Sequence, residues 1–240
     1  KHFEIYFSPG QSSEMPRAIL QKAEVYYNSI ADRLGYARRQ NFWTWDARVK
    51  IVYYDDQASY AAATGQPDWS KGFSISHLSG VVYRMIVSFR GQENFINTVL
   101  PHEIGHLVLH DMIGSGARIP VWFDEGVAQL EEVRNDDQNK PIVAQLIAAG
   151  KTIPLSLLDG YPMKPQTDGM GVQIFYAESL YIVDFLVKTY GKDAFFRVCR
   201  NLRDGISLED ALKSVYGSSV RSMDDLQAMW FKYMITGFLH

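Results

Sequence analysis

The apolar positions fall into short dense runs in the first third of the chain and into longer, spaced patterns after it. Residues 3–7 (FEIYF), 48–54 (RVKIVYY) and 81–89 (VVYRMIVSF) are rich in β-branched and aromatic side chains and predict three strands. Between the first two, residues 16–34 place Ile19, Ala23, Tyr26, Tyr27 and Ile30 at helical spacing. Pro16 stands at the start of this amphipathic helix and Gly35 at its end. Residues 57–80 are polar and glycine-rich and read as a loop region.

From about residue 98 the period changes. A helix is predicted over 98–112, with Thr98 as N-cap and Pro101 at the third helical position, where a missing N–H costs nothing. Gly114 and Gly116 stop it. A loop containing Pro120 leads to a second helix over about 124–133, followed by a polar stretch at 134–141. The remainder reads as helical. A long segment over 172–190 is closed by Gly191 and followed by 193–203. Helices near 208–216 and 223–236 begin after Ser207 and Ser222, each with an Asp three residues on. The layout is α+β. An N-terminal α/β lobe, 1–112, ends in the 98–112 helix, and a helical lobe, 113–240, completes one catalytic unit.

Composition narrows the function classes. The chain is 47% hydrophobic and 21% charged, with a net charge of −3 and a pI near 6.1. No basic patch points to nucleic acid. No apolar run reaches the roughly 18–20 residues of a membrane span. Cys199 is the one cysteine, so an intramolecular disulfide and a cysteine-based zinc site are both excluded, and its apolar helical setting predicts a small core residue. A start at Lys1 fits a processed chain, and an extracytoplasmic (periplasmic or secreted) location is the expectation.

The chemistry gathers at residues 102–106, His-Glu-Ile-Gly-His. On a helix, positions i and i+4 share a face, about 40° apart and roughly 6 Å along the axis. Two imidazoles so placed can converge on one metal ion, each nitrogen at about 2.0–2.1 Å. Glu103 stands one step round the helix, able to act on a water at the metal without being a ligand. Chance yields this pattern in roughly one shuffled chain in a hundred. The flanks Val99, Leu100, Ile104, Leu107, Val108 and Leu109 are apolar, so the helix is at least half buried, and a buried histidine pair needs partners.

A catalytic zinc needs a third protein ligand and an open position. His110 lies about 12 Å along the axis from His102, too far for one ion on an unbroken helix. The three-histidine pattern fails because Leu109 and Met112 occupy its glycine and third-histidine positions. A carboxylate on the following helix remains. Glu125, in Trp122-Phe-Asp-Glu-Gly-Val-Ala128, fits best, with Glu131 and Glu132 as alternatives that also read as a solvated face. Asp124 and Gln129 are candidates to orient a ligand histidine from outside the ion's own shell.

His-Glu-Ile-Gly-His, eighteen residues, then Glu125 resembles the gluzincin pattern, with the spacing of aminopeptidase-N-type enzymes. Residues 120–128 resemble the Pro-x-Trp-hydrophobic-x-Glu-Gly-x-Ala box of the peptidase MA-like group. A looser likeness continues through Tyr176-Ala-Glu-Ser-Leu180 and Tyr190-Gly191 to 205–212, so that the resemblance covers about 81–235. It implies a zincin-like fold, with a small mixed sheet on the active-site helix, a helical lobe below, and Zn2+ held by His102, His106 and Glu125. It also implies a cleft-edging strand at 81–89 that pairs with an extended peptide. A Tyr or His from the helical lobe would serve as oxyanion donor, for which Tyr176 is the candidate and Tyr181, Tyr161 and His77 the outsiders. The Gly-x-Met-Glu-Asn box of aminopeptidase-N-type enzymes is absent, since 91–94 reads Gly-Gln-Glu-Asn, and endopeptidase action on a peptide or protein substrate is therefore expected. Two other readings stand beside it. His-Glu-Ile-Gly-His-Leu-Val-Leu-His also resembles the metallopeptidases that cleave phage repressors, which act on one regulatory target. A catalytically degenerate zincin would serve as a binding module, although an intact Glu103 speaks against that.

Overall fold

A computed structural model of the chain describes residues 1–9, 12–36, 43–78, 81–114, 116–132, 140–161 and 169–237. It is a mixed α+β structure with one four-stranded mixed sheet and, among the described residues, ten α-helices. The chain divides into two compact units, 1–111 with 131–134, and 112–130 with 135–240.

The first unit holds the sheet. Its strands are β1 (Phe3–Phe7), β2 (Val49–Tyr54), β3 (Gly72–Leu78) and β4 (Val81–Phe89), in the order β1-β2-β4-β3. The β1/β2 and β2/β4 pairs are parallel and β3 runs antiparallel to β4. Helix α1 (Glu14–Leu34) makes the crossover between β1 and β2, burying Ile19, Ala23, Tyr27, Ile30 and Leu34 along one face. In β2 the inward set Val49, Ile51 and Tyr53 is buried, the alternation expected of a half-covered strand.

Two expectations are corrected here. Residues 57–80 are not a loop region. They contain α2 (Gln57–Thr64), opened by an Asp56–Ser59 capping box, and the strand β3. Phe73 and Ile75 alternate with Ser74 and Ser76, but the high polar and glycine content masked that period. An edge strand tolerates such polarity because only one flank is paired. The second correction concerns 81–89. As β4 this segment lies between β2, paired over Met85–Phe89, and β3, paired over Val81–Ser88, so it is an interior strand and not the one that edges the sheet. Among the described residues, the edge at this end of the sheet is β3. The continuous burial of Ile86, Val87, Ser88 and Phe89 is the mark of an interior strand.

Helix α3 (Val99–Ile113) follows. Thr98 directly precedes it and donates from its hydroxyl to the Asn94 carbonyl at 2.6 Å. Leu100, Ile104, Leu107, Val108 and Leu109 are fully buried. Gly114, at φ 84°, turns the chain out of the helix in a left-handed conformation.

The second unit is helical: α4 (Val121–Leu130), α5 (Lys140–Ala148), α6 (Leu155–Leu158), α7 (Gly169–Tyr190), α8 (Lys192–Arg203), α9 (Leu208–Tyr216) and α10 (Met223–Thr236). Helix α4 starts earlier than expected because the Pro120 carbonyl already accepts from the Phe123 and Asp124 N–H groups, at 3.0 and 3.1 Å. The polar stretch expected over 134–141 lies, up to residue 139, outside the described residues. Ser207 and Ser222 cap α9 and α10 as their spacing predicted, accepting from the Asp210 and Asp225 N–H groups at 3.2 and 3.0 Å. Cys199 is a buried core residue of α8 whose thiol burial pushes far up. Within α7, Met170–Tyr190 is long and apolar enough to cross a membrane by length and composition. However, 61% of its most apolar window is buried in the protein, as in a core helix.

Candidate metal centre

His102, Glu103 and His106 stand on the first two turns of α3. Both histidines are half-buried and Glu103 is buried. The Nε2 atoms of His102 and His106 are 3.2 Å apart, with the rings nearly perpendicular at 79°. Two nitrogens each about 2.05 Å from a tetrahedral ion must stand about 3.3 Å apart. The spacing therefore fits one shared ion, and the donor set, two imidazoles beside carboxylates, suits a borderline metal such as zinc.

The other nitrogen of His102 is also occupied. Its Nδ1 lies 3.0 Å from Oε1 of Glu132, which belongs to the same unit. A carboxylate at Nδ1 fixes the orientation of the ring and favours the tautomer that presents Nε2 as the ligand atom. The preceding Glu131 is buried, with Oε2 3.5 Å from Arg33 on α1. Burial pushes its carboxyl up to about 7 against the opposing pull of Arg33. By sequence Glu131 and Glu132 are third-ligand alternatives or a solvated face. In the structure Glu132 partners a ligand candidate and Glu131 anchors the segment. No local pattern marks Glu132, because its partner lies 30 residues away.

His110, one turn beyond His106 with the ring centroids 6.0 Å apart, also reaches the sheet. Its Nδ1 lies 3.0 Å from Ser76 Oγ, and the same hydroxyl lies 3.1 Å from His77 Nδ1. The pairing of β3 with β4 is irregular between Ile75 and His77, and this bulge aims both Ser76 and His77 toward α3.

Glu125 and Tyr176 belong to the second unit. Glu125 is half-buried in α4 and is followed by Gly126. A Cβ at Gly126 would sit 2.4 Å from the Ser179 carbonyl oxygen and 2.6 Å from Val183 Cγ2, both on α7. No side chain fits there, so the Glu-Gly pair is the point where α4 lies directly on α7. Trp122, Phe123, Val127 and Ala128 bury the rest of the α4 face. Asp124 is half-buried and Gln129 buried on the same helix. Tyr176 is half-buried on α7, its ring edge-on to Phe175 at 5.8 Å. Of the outsiders, Tyr161 stacks on Phe175 at 5.7 Å, Tyr181 is buried, and His77 is held by Ser76. Glu178, two residues beyond Tyr176, is fully buried. Both of its oxygens accept from the Ile153 N–H, at 3.2 and 3.0 Å, and burial pushes its pKa up to about 8.

The model of the Peptidase MA superfamily matches residues 47–235, well over half of the chain. The chain belongs to the Peptidase MA superfamily. Peptidase MA proteins are generally metal-dependent, and membership indicates metal-dependent peptide hydrolysis as the activity class. The Peptidase MA match takes in β2, the whole His-Glu-Ile-Gly-His helix and nearly all of the second unit. No curated protein matches the chain.

Proposed function

We propose that this protein is a zinc-dependent endopeptidase in which His102, His106 and Glu125 hold the ion and Glu103 is the general base. The observation that carries the reading is the 3.2 Å gap between the Nε2 atoms of His102 and His106, with Glu132 engaging the opposite nitrogen of His102. Glu125 is assigned from its spacing to the histidine pair and from the glycine-tight seating of its helix on α7.

An ion held there would supply Lewis acidity toward the scissile carbonyl and a lowered pKa for water. The protein's own groups do the rest. A Glu103 oxygen takes a proton from the attacking water and delivers it to the leaving amine nitrogen, which departs neutral. The Tyr176 hydroxyl donates to the carbonyl oxygen as negative charge develops on it. The outer flank of β3 offers backbone N–H and C=O groups to an extended peptide, the role first expected of residues 81–89. The missing Gly-x-Met-Glu-Asn box favours internal bonds over N-terminal residues as targets.

The test is elemental analysis together with proteolysis of a peptide library read by mass spectrometry. The expected result is about one zinc per chain, cleavage at internal bonds, and loss of cleavage in Glu103→Gln with the metal retained. Metal-free protein at full activity, or an unimpaired Glu103→Gln, would overturn the proposal.

A further inference from the structure

Asp111 lies at the far end of α3 from the histidine pair, and its surroundings are unusual for a helix terminus. Arg84, on the interior strand β4, grips it through two parallel bonds, Nε to Oδ2 and Nη2 to Oδ1, both at 2.8 Å. The two side chains are 6% and 4% exposed. The Trp43 indole N–H donates to the same carboxylate. Arg84 also donates from Nη1 to the Ala47 carbonyl at 3.3 Å and lies over the Trp43 ring at 5.6 Å. Trp43 in turn stacks on Tyr27 of α1 at 4.4 Å. At the same turn Ser76 bridges His110 and His77. The end of α3 is thus fastened to two strands and, through Trp43, to α1.

A buried ion pair is poor evidence for stability, because desolvation offsets most of its attraction and apolar replacements of similar volume do as well or better. What a bidentate pair supplies is direction. Asp111 is nine residues beyond His102 and five beyond His106, about 180° and 140° round the helix. The clamp therefore grips α3 on the side away from the ligand nitrogens. Side chains reach about 5–6 Å from a helix axis, so a rotation of 10° moves their tips about 1 Å. Metal–ligand distances tolerate about 0.2 Å, which corresponds to a rotation of roughly 2°.

We propose that Arg84 and Asp111 are positioning residues. Their buried fork fixes the rotation of α3 about its axis and so holds the His102 and His106 nitrogens in register with Glu132. The inference rests on the proposed function only in taking His102 and His106 as ligands.

The experiment compares wild type with Arg84→Met/Asp111→Leu, which replaces the pair by apolar side chains without stranding a charge. Metal-free protein is titrated with cobalt(II) in competition with a chromophoric chelator, and the visible cobalt bands are recorded. In parallel the ring proton on His102 Nδ1, held by Glu132, is followed by NMR in the metal-free protein. The expected result is a folded protein whose melting temperature falls by at most about 10 °C, because the buried Trp43 N–H loses its acceptor. Cobalt affinity should be lower by tenfold or more, the bands altered, and the ring proton resonance lost to solvent exchange. Wild-type affinity, bands and ring proton in a folded double variant would overturn the proposal. If the double variant does not fold, Arg84→Lys, which keeps the charge and loses the fork, decides on the same readouts. If wild type takes up no cobalt, the zinc assignment fails, and the ring proton alone still decides whether the clamp orients His102.

Discussion

Gly126 and Ser179 touch so closely that the carbonyl oxygen of Ser179 occupies the place where any larger residue would carry its Cβ, at 2.4 Å. The contact joins α4 to α7 directly after Glu125. Its consequence is that Gly126→Ala must push the helices apart, since the obstacle is backbone and not a flexible side-chain tip. Overpacking of this kind costs about 1–3 kcal/mol. For a chain of this length that corresponds to a fall in melting temperature of roughly 3–10 °C. Thermal unfolding followed by circular dichroism checks it. A variant as stable as wild type would mean that the two helices are not in contact at this point.

Glu132 predicts a loss of metal affinity separate from any loss of fold. Its carboxylate is half-buried and holds Nδ1 of His102. Glu132→Gln keeps the shape but removes the charged acceptor that orients the His102 ring. Affinity for zinc should fall about 10–100-fold. Competition with a chromophoric chelator measures it, and unchanged affinity would show that His102 needs no such support.

Glu103 predicts the opposite separation. Glu103→Gln should lower kcat about 10²–10⁴-fold, the usual contribution of a general base, while zinc content and melting temperature stay at wild-type values. Dialysis of wild type against a chelator should abolish cleavage, and added zinc should restore it. Cleavage that survives complete metal removal would exclude a metal-dependent route.

Glu178 predicts a pH dependence of stability whose sign follows from its burial. Its carboxyl has an ordinary value of 4.5 and is pushed up to about 8 in the folded protein. Between those values the folded state binds the proton that the unfolded state has released. Stability from this group is therefore fully present below about pH 4.5, declines as pH rises and is lost above about 8. Glu131, pushed up to about 7 by the same cause, adds a decline of the same sign over a narrower window. Glu178→Gln retains an acceptor for the Ile153 N–H without the charge. Its melting temperature should exceed that of wild type at pH 8–9, and the gap should close toward pH 5. A gap that does not change with pH would show that Glu178 is not titrating in this range.

Local periodicity carried much of this protein. The i, i+4 spacing of His102 and His106 dictates a shared face on any helix, so the 3.2 Å approach of their nitrogens follows from the sequence once α3 forms. The same holds for the serine caps of α9 and α10 and for β1, which runs from Phe3 to Phe7 as its apolar run requires. Each depends on residues within one or two turns of each other. Tertiary structure alone decided the rest. Strand order made β4 interior and β3 an edge, because hydrogen-bond partners along a sheet are chosen by the whole chain and not by a strand's composition. It turned Glu132 from an apparent surface residue into the partner of His102, across 30 positions. It also brought Arg84 onto Asp111, across 27 positions, where burial makes a directed pair of two charges that in sequence look unrelated. Spacing along one helix is set by backbone geometry, whereas contacts between elements exist only after the chain has closed the intervening loops.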